Sequence, residues 1–121
     1  MKKIILIILA VICTQYDAQA QDDYYMRQAN NYMRDAEYYN KKADSYLRDM
    51  DYYNKKAQGY LREVDYYSRH NNPDKVKTYN RWAQEATEKA QMYMRWSQNE
   101  REKAQQRMKW AQDAMEKARR R

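Results

Sequence analysis

The sequence predicts an all-α protein: a long antiparallel two-helix coiled-coil hairpin built from 7- and 14-residue repeats. Three observations carry that reading. Tyrosine falls on every seventh residue at Tyr25, Tyr32, Tyr39, Tyr46, Tyr53, Tyr60 and Tyr67. A second series with the same step, Ala29, Ala36, Ala43, Met50, Ala57 and Val64, is offset from it by four and three residues. Four-three spacing is what a helix needs to offer one continuous seam to a partner helix. Finally, the one strong break after the leader is Asn71-Asn72-Pro73.

The first element is a leader. Met1-Lys2-Lys3 precedes an uncharged run from Ile4 to Ile12, and Ala18-Gln19-Ala20 follows. A basic start, a short apolar stretch and small residues at the −3 and −1 positions predict a secretory signal peptide over residues 1–20, cleaved after Ala20. The run is too short to span a hydrocarbon core as a settled helix, although an uncleaved anchor is the competing assignment. Residues 21–121 then form a single helical domain, exported to the periplasm or the extracellular space. The Lys-Lys start and short core have a bacterial character. Cys13, the single cysteine, would be lipid-anchored only if modified. Otherwise it leaves with the leader, and no disulfide or thiolate chemistry remains.

Helix one is expected over 22–70. With Ala29 at heptad position a and Tyr25 at d, position e carries Met26, Met33, Leu47 and Leu61, and position c carries Tyr24, Tyr38, Tyr52 and Tyr66. Tyr38-Tyr39-Asn40-Lys41-Lys42-Ala43 recurs as Tyr52-Tyr53-Asn54-Lys55-Lys56-Ala57, so a 14-residue duplication underlies the heptads. The turn is assigned to 71–72. Asn71 suits the left-handed conformation that ends a helix, Asn72 caps the next, and Pro73 fits its first position.

Helix two is expected over 73–119. Val76, Ala83, Ala90, Ser97, Ala104, Ala111 and Ala118 form a line of mainly small residues, interrupted alongside by Glu100 and Arg107. Trp82, Trp96 and Trp110 recur every 14 residues. Small residues let two helices approach, so the tyrosines of helix one are expected to lie over Ala83, Ala90, Ala104 and Ala111. A two-helix contact buries little surface. Dimerisation of hairpins into a four-helix bundle is therefore the simplest way to cover the aromatic flank, with a monomer or a larger assembly as alternatives.

Acid and base cancel over 22–72, but 73–121 carries thirteen basic residues against seven acidic ones, ending in Arg119-Arg120-Arg121. Many charges support the helices as acid-before-base pairs four apart, among them Asp51–Lys55, Asp65–Arg69, Glu85–Lys89 and Asp113–Lys117. Each tryptophan directly follows a base, Arg81, Arg95 or Lys109. These six residues and the terminal arginines are the candidate ligand or interface residues. His70 is the single histidine and falls at a helix end. No nucleophile–histidine pair, phosphate-cradling glycine loop or metal-ligand spacing is found. The expectation is thus no enzyme, no cofactor and no catalytic or metal-binding residue. The expected function is that of a small exported structural or adaptor protein, acting by self-association and contact with a cell-envelope component. The alternative is a weak polyanion- or membrane-surface-binding module using the second helix. Specific nucleic-acid recognition is not expected.

Overall fold

A computed structural model describes the backbone from Lys2 to Arg120 and the side chains from Gln21 to Arg120. The expected leader, its cleavage point after Ala20, the side chain of Cys13, and Arg121 lie outside the described residues. Two antiparallel helices, α1 (Lys2–Arg69) and α2 (Pro73–Arg119), pack as a helical hairpin. α1 thus starts at Lys2 rather than at the expected residue 22 and ends one residue early.

The turn is built by one backbone and one side-chain hydrogen bond. Asn71 adopts φ 54°, a left-handed conformation that asparagine tolerates better than other side-chain-bearing residues. That kink lets the Asn72 amide reach back to the Tyr67 carbonyl at 3.1 Å, closing the last turn of α1. The Asn72 side chain then accepts from the Lys75 amide at 3.3 Å, which satisfies one of the orphan donors of α2. Asn72→Ala is expected to cost about 1 kcal/mol, and Asn71→Val about 1–2 kcal/mol from backbone strain. Asn71→Gly should retain full stability. Thermal melts followed by circular dichroism check all three, and an unaffected Asn71→Val would refute the strain.

The chain divides into two compact units. One, Tyr39–Glu102, contains the turn. Its buried residues are Ala43 and Ala57 from α1 and Ala83, Ala86, Ala90, Ser97 and Glu100 from α2. The Ser97 hydroxyl donates to the Ala43 carbonyl at 3.0 Å, so the two backbones come close enough for one short side chain to bridge them. Across the same helix pair, Arg101 holds Asp44 at 3.0 Å. The other unit joins Met1–Tyr38 to Lys103–Arg121. Ala29, Ala111 and Ala114 form its core, with Tyr32, Met33 and Met115 packed around them. Arg107 approaches Asp35 at 3.9 Å.

In both units, then, small residue meets small residue along the centre. Tyr32 packs against the Ala29–Ala111–Ala114 cluster, where a tyrosine is expected beside the alanine line. Alanine or serine comes from both sides, and each seam tyrosine is half-buried beside them. Along the flank the rings also meet the large side chains of α2.

Candidate functional site

The seven seam tyrosines Tyr25, Tyr32, Tyr39, Tyr46, Tyr53, Tyr60 and Tyr67 are each half-buried. In the unit containing the turn they form a run of ring contacts. Tyr67 stacks on Tyr79 at 5.6 Å and Tyr53 stacks on Tyr93 at 5.6 Å. Tyr60 lies 5.7 Å from Trp82, and Tyr46 meets Trp96 edge-on at 5.6 Å. In the other unit Tyr32 meets Trp110 edge-on at 5.6 Å. Offset-stacked and edge-to-face pairs at such separations are the favoured aromatic geometries. Stepping 14 residues back along α1 matches stepping 14 forward along α2, so each tryptophan finds an equivalent tyrosine.

Beside two of these pairs lie recesses of equal size. The first, about 290 Å³, is lined by Tyr53, Lys56, Tyr60, Trp82, Glu85, Ala86 and Lys89. The second, also about 290 Å³, is lined by Gln28, Tyr32, Trp110, Asp113, Ala114 and Lys117. Position for position they correspond: Trp82 with Trp110, Tyr60 with Tyr32, Glu85 with Asp113, Lys89 with Lys117, and Lys56 with Gln28. The ammonium of Lys89 lies 5.3 Å from the centre of the Tyr53 ring, and that of Lys117 lies 6.0 Å from Tyr25. The four-residue spacing predicts supporting ion pairs at Glu85–Lys89 and Asp113–Lys117. Instead these lysines cover tyrosine rings, an attraction set by the ring quadrupole. Asp51–Lys55 and Asp65–Arg69 do form their expected pairs, at 3.0 and 3.1 Å.

Lys56 lies 4.9 Å over Tyr52 and 6.0 Å over Tyr53. A hydrogen bond to Tyr52 raises its pKa, so the ammonium holds its charge on the recess rim. Burial raises the Tyr93 phenol, with further contributions from Tyr53, Asp49 and Tyr46. Neither group changes charge near neutrality.

No family model, curated protein or solved structure matches this chain.

The tryptophans remain partly accessible, Trp82 at 39%, Trp96 at 42% and Trp110 at 38%. The bases that precede them, Arg81, Arg95 and Lys109, are exposed. It is Arg107, three residues before Trp110, that covers its ring at 4.4 Å. One helical turn brings residues three apart onto the same face, whereas neighbours diverge. Arg119 and Arg120 are exposed, and Arg120 pairs with Glu116 at 2.6 Å. His70 reaches the Tyr66 carbonyl with Nδ1 at 2.8 Å and stacks on the Tyr66 ring, as a helix-end residue. Ala83, Ala90, Ala104 and Ala111 are all buried. Tyr24, Tyr38, Tyr52 and Tyr66 are exposed, each by more than half. Among the described residues no group of His, Cys, Asp and Glu could hold a metal ion, and no helix is long and apolar enough to cross a membrane.

Proposed function

We propose that this chain is a small exported helical structural or adaptor protein that works through its surface, by self-association and by contact with a cell-envelope component. One observation carries the reading. Four tyrosines on α1 and three tryptophans on α2 recur at 14-residue intervals and are left 38–59% exposed. Large aromatic rings left open in a regular array are costly to hydrate and are characteristic of interfaces. Duplicated units of a coiled-coil type would explain the spacing, and pairing of two hairpins into a four-helix bundle would cover the rings. Export rests on the leader, and the absence of a catalytic constellation in the sequence supports a non-enzymatic role without a cofactor.

A second reading, a polyanion- or membrane-surface-binding module, is favoured by the basic excess of α2 and by accessible Trp82, Trp96 and Trp110 beside exposed Arg81, Arg95 and Lys109. Tryptophan emission and sedimentation of the chain, with and without heparin or anionic vesicles, separate the two. Self-association predicts emission that shifts to the blue as protein concentration rises and ignores both additives. A blue shift on adding heparin or vesicles, reversed by moderate salt, would establish the second reading instead. Solvent-like emission under every condition would refute both.

A further inference from the structure

The recess at Trp82 has an exposed tyrosine standing beside it. We propose that this flank docks a second copy of the chain in a two-fold arrangement, the Tyr52 ring of each copy entering the Tyr60–Trp82 recess of the other. The inference rests on the self-association reading and names its surface.

Tyr52 is 53% exposed, yet its orientation is set. Its ring meets Tyr53 edge-on at 5.1 Å, and the Lys56 ammonium sits over it. A ring held in place before docking loses little freedom on docking. The recess is the right size for such a guest. At about 290 Å³ it falls at the lower edge of ligand cavities, which run from about 300 to 1,000 Å³, and so suits one ring rather than a larger molecule. Tyr60 and Trp82 provide aromatic walls, and the Glu85 carboxylate can accept the hydrogen bond of an incoming phenol.

Glu85 is the one acid on a rim that also carries Lys56 and Lys89, and it is the group with which an incoming ammonium can pair. Lys56 travels with Tyr52, so docking brings the ammonium of one copy to the Glu85 carboxylate of the other. In a two-fold contact this pairing is made twice.

Gly59 gives an independent indication. It lies seven residues from both Tyr52 and Tyr66, hence on the same side of α1. Its φ is not positive, and a Cβ added there would meet nothing within 4 Å. Nothing within the chain therefore requires glycine, which weakens a helix interior. A bare stretch of helix between two upright tyrosines is what a closely approaching second backbone needs.

The other unit carries the same combination. Tyr24 is 59% exposed, meets Tyr25 edge-on at 5.4 Å, and accepts from the Gln28 amide at 3.5 Å beside the Trp110 recess. A site for a small ligand would not need an exposed tyrosine at a fixed offset from it. A self-complementary surface does.

Sedimentation of the full chain and two charge variants tests the proposal. Wild type should show a reversible dimer. Lys56→Glu and Glu85→Lys should each dimerise about tenfold more weakly or worse, because each places like charges together twice. Mixed in equal amounts, the two variants should recover a dimer close to wild type in strength, since every contact in the mixed pair again joins opposite charges. Recovery on mixing cannot arise within one chain. Gly59→Leu, which has open space in the single chain, should keep its helical circular dichroism and lose the dimer. A wild-type dimer that all three variants leave unchanged would overturn this interface while keeping self-association. Wild type that stays monomeric at all concentrations would overturn both, and tryptophan emission that then responds to heparin would assign the recess to a polyanion.

Discussion

Ala111→Leu is expected to lower the melting temperature by about 10 °C. Ala111 is fully buried and meets Ala29 and Ala114 at the centre of its unit. Adding three carbons where two helices touch through methyl groups forces the backbones apart. Overpacking of this kind costs about 1–3 kcal/mol, and each 1 kcal/mol moves a domain of this size by roughly 4–8 °C. Ala43→Leu should behave similarly, because it would also pull the Ala43 carbonyl away from the Ser97 hydroxyl. Gln112→Leu, one position along and exposed, should be nearly neutral. Equal melting temperatures for Ala111→Leu and Gln112→Leu would show that the alanine contact is not tight.

Tyr46→Ala should be at least as damaging, at about 3 kcal/mol, the lower end of large-to-small aromatic truncations because the ring is half-buried. Tyr46 touches two rings of α2 at once, Tyr93 at 6.2 Å and Trp96 at 5.6 Å. Removing it takes apolar area from all three and leaves a trough open to water. Tyr46→Phe keeps the ring and should lose less than about 0.5 kcal/mol, within the range of surface changes. Denaturant titrations of the two variants decide the matter. A phenylalanine variant as unstable as the alanine one would mean that the hydroxyl, not the ring, holds the helices.

The hairpin was legible in the sequence because its signals are local or periodic. Asn71-Asn72-Pro73 stops and restarts a helix through the backbone itself, and the step of seven marks which side of each helix turns inward. The line from Ala83 to Ala111 and the half-buried state of the seam tyrosines follow from that. What periodicity does not convey is which ring meets which. That depends on how thick the interhelical gap is, and the gap depends on both helices together. Alanine from α1 opposite alanine from α2 keeps it narrow, and the half-buried tyrosines reach the tryptophans along its edge. The lysines depart from the expected ion pairs for a related reason. Lys89 and Lys117 stand four residues after an acid, which is a sound rule for an isolated helix, but a tyrosine ring from α1 offers them a nearer partner. Glu100 is charged yet buried beside the seam, and Ser97 is not only small but a hydrogen-bond donor across the helices.

The three-residue connection, His70-Asn71-Asn72, has a consequence beyond ending one helix and beginning another. Tyr32, Tyr46 and Tyr60 are as evenly spaced as Trp82, Trp96 and Trp110, so sliding one helix by 14 residues against the other would recreate most of the ring contacts. Side chains alone therefore barely distinguish correct alignment from staggered alignment. Inside one molecule the tether at Asn71-Asn72 removes the choice. Between molecules no tether exists: helices exchanged between opened hairpins could pair with an overhang, each overhang would recruit another chain, and the product would be an open-ended filament rather than a closed pair. Lengthening that connection is therefore the change expected to favour such filaments.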